Sequence, residues 1–167
     1  MSGKSALDFT GTVDLRGPNG AAGKLLLDPK DIAIDTAAGG DPVATNKDFN
    51  NNPSGTSHLS EANIVTALGI GSLVLQANNN ISISVDVDAS ASANNLTLQA
   101  GRNIGLTAGK TLTLCGGSLA MTYNDQTGIS GRRDPAPGAL TMGAGSKIAT
   151  KGGAITIDRG TAGTSGP

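Results

Sequence analysis

Apolar residues fall on every second position through much of this chain, as in Leu73/Leu75/Ala77, Ile81/Ile83, Val85/Val87 and Leu112/Leu114. The positions between them are mostly Thr, Ser, Gln and Asp. A period of two is the mark of a strand with one buried face. Leu7/Phe9, Val13/Leu15, Leu25/Leu27 and Ile32/Ile34 alternate in the same way. The predicted strands are short, and Gly, Asn and Ala-Gly steps separate them, supplying the sharp bends that a corner requires.

The pattern also repeats at longer range. LVLQANNNISIS from Leu73 returns as LTLQAGRNIGLT from Leu96, a spacing of 23 residues. Ile81 maps to Ile104 and Ile83 to Leu106 at that same spacing, and Leu119 to Tyr123 begins a third copy. Leu140 to Met142 and Ala154 to Ile157 read as looser copies. One circuit of such strands cannot bury its apolar face alone, but circuits stacked at about 4.8 Å bury a continuous aliphatic interior. The expected architecture is therefore all-β, a parallel β-helix (solenoid). About six circuits would extend roughly 30 Å at that spacing.

Two stretches interrupt the repeat within what reads as a single segment, 1–167. Residues 35–57 are polar and rich in Gly, Asn and Pro, including Asn50-Asn51-Asn52-Pro53, and predict an extended surface loop. A short helix over 59–69 follows within this insertion. Ser60 is its N-cap, Glu61 suits its first turn, Ile64, Val65 and Leu68 share a face, and Gly69 can end it. Residues 124–138, containing GRRDPAPG, predict a second surface loop. Loops carried on a rigid scaffold are where contact with a partner is expected.

Composition sharpens this picture. Aromatic residues are 2% of the chain and glycines number 25, so the core must be aliphatic and thin, which suits a solenoid. Twelve basic residues against 13 acidic ones leave a net charge of −1, and Arg132 and Arg133 form only a local basic spot. No nucleic-acid partner is expected from such a balance. Cys115, in TLTLCGG, is the one cysteine; it offers no intrachain disulfide and reads as an inert thiol in a core position. The N-terminal MSGKSALDF is not a secretory signal, and no apolar run reaches transmembrane length. With no evident cap at either end, the chain reads as a piece cut from something longer, and if it is exported the signal lay upstream.

Candidate chemistry is sparse. His58, the single histidine, has no nucleophile motif beside it and reads as an exposed polar residue. Asp86 and Asp88 alternate on one strand face, as sugar-cleaving carboxylates or a weak calcium site would, but a saccharide groove needs aromatic residues and only Tyr123 offers itself among Tyr and Trp. GLTAGKT, from Gly105 to Thr111, has one residue too few between its glycines for a phosphate loop and no helix after it. Gly131 to Asp134 and Asp158 to Gly160 hold the letters of an integrin tripeptide in the wrong order. A regular outward array of Thr, as in a surface-binding solenoid, is broken at Val74 and Ala120 between Thr97 and Thr113. No catalytic residue, cofactor site or metal site is expected, and the chain is not read as an enzyme.

VDLRGPNGAAGKLLLDPKDIAID, LSEANIVTALGIGSLVLQANNNISI and NLTLQAGRNIGLTAGKTLTL together resemble large exoproteins of the filamentous haemagglutinin family. The resemblance implies a secreted, right-handed β-helical filament, exported by two-partner secretion through an outer-membrane β-barrel transporter. It implies a structural and adhesive role at the bacterial cell surface, with host or neighbouring-cell surfaces as partners, and no catalytic residue. Strand edges left open at both ends would also permit head-to-tail self-association. The competing expectation is a carbohydrate-active β-helix enzyme fragment.

Overall fold

The computed structural model describes residues 25–27, 30–37, 56–126 and 133–160, with the backbone alone described for 25–27. The first elements are β1 (Leu25–Leu27), β2 (Asp31–Ile34), β3 (Thr56–Leu59) and the helix α1 (Glu61–Ile70). A first regular circuit follows as β4 (Leu73–Ala77), β5 (Ile81–Ile83) and β6 (Val87–Ala89), and a second as β7 (Leu96–Ala100), β8 (Ile104–Leu106) and β9 (Thr111–Leu114). β10 (Leu119–Tyr123), β11 (Leu140–Met142), β12 (Lys147–Ala149) and β13 (Ile155–Arg159) complete the series.

These strands form three sheets, with orders β1-β4-β7-β10-β13, β3-β2-β5-β8-β11 and β6-β9-β12. Every strand pair is parallel. From β4 onward the chain visits the sheets in rotation, so the fold is all-β and solenoid-like, with one short helix. Register follows the sequence repeat: Leu73 faces Leu96, which faces Leu119, and Leu75 faces Leu98, which faces Met121. Those six side chains, with Ile81, Ile83, Ile104, Val87, Leu112 and Leu114, point inward and are buried.

The repeat length bends around local insertions. Asn80 and Asn103, in equivalent places, lie 23 residues apart, whereas Asn103 and Ala139 lie 36 apart and Asp31 and Asn80 lie 49 apart. Each excess sits between strands, so register inside the sheets is kept. Leu140–Met142, read from the sequence as a loose copy of the first strand, instead pairs with β8 in the second sheet, and it is Ile155–Arg159 that continues the first.

Several expectations are corrected. The loop expected over 35–57 ends in a strand, because Thr56–Leu59 pairs with β2 and turns Ser57 and Leu59 inward. Four residues with one apolar side chain carry too little period-2 signal to be seen without their neighbour; residues 38–55 lie outside the described residues. The helix runs from Glu61 to Ile70. Ser60 caps it, its side chain accepting from the Asn63 backbone N–H while the Asn63 side chain accepts from the Ser60 backbone N–H. Gly69 stays inside it and Gly71 ends it in an extended conformation. Cys115 is exposed, not in the core. Leu112 and Leu114 point inward, so the next residue takes the outward parity. The described parts of the second excursion, 124–126 and 133–138, contain neither strand nor helix, while 127–132 lie outside the described residues, as do Leu7/Phe9 and Val13/Leu15.

Leu98 sits mid-stack at 0% exposure. Leu98→Ala is expected to lower the unfolding free energy by about 2–5 kcal/mol, whereas Ile155→Ala at half-exposed β13 should cost under about 1 kcal/mol. Urea denaturation followed by circular dichroism measures both, and equal losses would contradict the described core.

Candidate functional site

The corner between the first and second sheets holds the densest polar arrangement among the described residues. It is built from equivalent residues of successive circuits. Asp31 Oδ1 accepts from the Asn80 backbone N–H at 3.0 Å and from Asn80 Nδ2 at 2.8 Å. Asn80 Oδ1 in turn accepts from Asn103 Nδ2 at 2.7 Å, and Asn103 Oδ1 accepts from the Ala139 N–H at 2.9 Å. A carboxylate that only accepts thus starts a ladder in which each amide donates to one neighbour and accepts from the next. On the first sheet, Gln76 donates to Gln99 in the same manner.

Beside this ladder the second excursion is fastened to the stack. Its base closes where Asn124, with φ at 55°, accepts the Gly138 N–H on its Oδ1 at 3.1 Å. Gly138 lies so near the Arg102 carbonyl that any Cβ would collide with it. Further out, Asp134 meets the buried Asn79: Asn79 Nδ2 donates to the carboxylate at 2.6 Å and the Asp134 N–H donates to Asn79 Oδ1 at 3.2 Å. Arg102 Nη1 lies 3.4 Å and Lys30 Nζ 3.6 Å from the same carboxylate. Residues 30, 79 and 102 belong to three successive circuits, so one loop aspartate ties them together. The Asn79 hydrogen bond, the largest influence, holds the Asp134 carboxyl below its ordinary value of 3.8 against desolvation, with lesser help from the nearby Lys30 and Arg102 charges.

The residues singled out from the sequence are scattered. His58, on β3, is exposed and its Nδ1 lies 2.8 Å from Asp35 Oδ2. Asp86 accepts from the Thr111 N–H at 2.8 Å and pairs with Lys110 at 3.7 Å, which places the lysine of the GLTAGKT segment in a structural contact. Asp88 is tied to Ser90, whose side-chain and backbone hydrogen bonds lower its pKa. Tyr123 packs against the aliphatic core. Arg133 is partly buried, and Arg132 lies outside the described residues. Among the described residues no three or more His, Cys, Asp or Glu gather to hold a metal ion, and no helix is long and apolar enough to cross a membrane.

Sequence reasoning passed over Asn79, Asn80 and Asn103. Their signal was present in the aligned ANNN and AGRN segments, but Asn marks turns so often that ladder and turn look alike until the circuits are stacked.

Fold and site together define a parallel, all-β, solenoid-like protein in which polar side chains at one corner join one circuit to the next. Comparison with family models, curated proteins and solved structures finds no match for this chain.

Asn79→Ala should destabilise the protein by about 1–3 kcal/mol, since it removes the buried partner of Asp134. The pH dependence has a definite sign. A lowered carboxylate pKa adds stability that is complete above the unfolded value and is lost as pH falls through the folded value. The Asp134 amide resonance should therefore titrate with a midpoint below 3.8 and stop titrating in Asp134→Asn. A midpoint at or above 3.8 would refute the clasp.

Proposed function

We propose that this chain is a structural and adhesive segment of a secreted bacterial exoprotein of the filamentous haemagglutinin kind, and that its solenoid is a right-handed parallel β-helix. The observation that carries the proposal is the uninterrupted aliphatic stack, in register across circuits, running through Leu73, Leu96 and Leu119 and through Leu75, Leu98 and Met121. Such a stack extends by addition of circuits and resists bending, which is what a stalk requires. Parallel strands joined by crossovers turn almost always to the right, which favours that hand.

The outward face supports a supporting role more than a chemical one. Several of its polar side chains bond to neighbours in the stack, as in the Gln76–Gln99 pair and the Asn80–Asn103 ladder at the adjoining corner. The excursions between β2 and β3 and between β10 and β11 are the elements proposed to meet a host or neighbouring-cell surface. An outer-membrane two-partner-secretion transporter is the proposed export partner of the parent protein. Less supports the alternative of a carbohydrate-active β-helix enzyme: Asp86 and Asp88 are each tied locally, and Tyr123 packs on the core.

Latex beads coated with the chain test adhesion directly. They are expected to bind cultured host cells or neighbouring bacteria at least tenfold more than beads coated with heat-denatured chain, and to lose binding when residues 38–55 are replaced by a short Gly-Ser linker. Equal binding of native and denatured chain would remove the adhesive part of the proposal. Solution scattering tests the stalk part, through a cross-section that stays constant along an elongated particle.

A further inference from the structure

Two segments of the chain have the form Asn-x-Ser/Thr with no proline between, Asn80-Ile81-Ser82 and Asn95-Leu96-Thr97. That spacing is the acceptor pattern for attachment of a sugar to an asparagine amide. An extended backbone sets residues i and i+2 on one side, so the amide and the hydroxyl are presented together. Both segments meet this condition, since Ile81 and Leu96 are buried and the residues flanking each point outward.

Stacking separates the two. Asn80 is enclosed in the corner ladder: its Nδ2 donates to Asp31 Oδ1 at 2.8 Å and its Oδ1 accepts from Asn103 Nδ2 at 2.7 Å. A sugar on that nitrogen would have to fit between stacked circuits. Asn95 stands just before β7 and is exposed. Its backbone is held in the stack, the N–H donating to Ser72 Oγ at 3.3 Å and the carbonyl accepting from the Leu73 N–H at 2.9 Å. Its Oδ1 accepts from the Ser118 N–H at 2.8 Å, which fixes the carboxamide, while Nδ2 has no hydrogen-bond partner among the described residues.

The surroundings of Asn95 leave room for a bulky group. The register that sets Leu96 between Leu73 and Leu119 places Ser72 and Ser118 at the equivalent positions of the adjacent circuits, and both are small. Thr97 lies between Val74 and Ala120, neither of which has a side chain able to bond its hydroxyl.

We propose that Asn95 is an N-glycosylation site that stays open in the folded protein, whereas folding closes Asn80. The donor is a sugar activated at its anomeric carbon by a diphosphate, carried on a nucleotide or on a lipid. Asn95 Nδ2 forms a bond to the anomeric carbon. The bond from that carbon to the diphosphate oxygen breaks, its electron pair leaving on the diphosphate, and one amide proton passes to a base of the transferase. The attached sugar lies on the outer corner that leads into the first sheet and leaves the aliphatic columns untouched. The site is independent of the adhesive role, since a chain that binds no cell can still carry the sugar.

The test offers the folded 167-residue chain to two purified systems: a soluble N-glycosyltransferase with uridine diphosphate glucose, and a membrane oligosaccharyltransferase with a lipid-diphosphate oligosaccharide. Intact and fragment mass spectra read the product. A single glycan at Asn95 is expected in at least one system, and the system that delivers it identifies the carrier. Ser82→Ala removes the Asn80 pattern without touching the ladder and should leave incorporation unchanged. Thr97→Val, close in shape and suited to a strand, should abolish incorporation while thermal unfolding followed by circular dichroism stays as in the unaltered chain. No glycan in either system, a glycan at Asn80 of the folded chain, or undiminished incorporation in Thr97→Val would each overturn the proposal.

Discussion

Parallel main-chain pairing in a fixed register is the constraint on which the rest of this structure depends. Once Leu73 is set opposite Leu96 and Leu119, Leu75 meets Leu98 and then Met121, and Ala77 meets Ala100, so inward residues of these circuits stack on residues of like size. With only 2% aromatic residues, the core is filled by columns of Leu, Ile, Val and Ala with one Met, Met121. A shift of one residue would turn each column outward and expose it, which makes the register cooperative across sheets.

The corners absorb what the strands cannot. β6 and β9 pair as Val87 with Leu112, a different offset from the 23 residues kept elsewhere in the same circuits, and the chain restores the difference before the first sheet resumes at β10. The excursion between β10 and β11 lengthens its circuit yet leaves β11, β12 and β13 each paired in parallel with the strand before it. Insertions at a corner cost loop entropy that grows slowly with length, whereas an insertion inside a strand would break a ladder of hydrogen bonds and a column of buried side chains together.

Polar side chains do for the outside what aliphatic ones do for the interior. The sequence Asp31, Asn80, Asn103 and the Ala139 N–H leaves few amide groups at that corner unmatched. The Asp134 clasp adds charge to the same corner and joins an irregular segment to it through Asn79. Both devices rest on residues far apart in the chain that stacking makes neighbours.

The sequence by itself determined the circuit. The alternation of Leu73/Leu75/Ala77, its return at Leu96 and Leu119, and the Ser60 cap are local or strictly periodic signals, and periodicity is a property of the chain before it folds. The tertiary structure alone decided what depends on a neighbour. It made a strand of Thr56–Leu59, which β2 stabilises and its own composition does not. It placed Leu140–Met142 in the second sheet, since a displaced circuit loses the 23-residue clue. It gathered Lys30, Asn79, Arg102 and Asp134 at one corner. The physical reason is common to all three: pairing across circuits is a long-range interaction, and its energy appears only when the strands are already side by side.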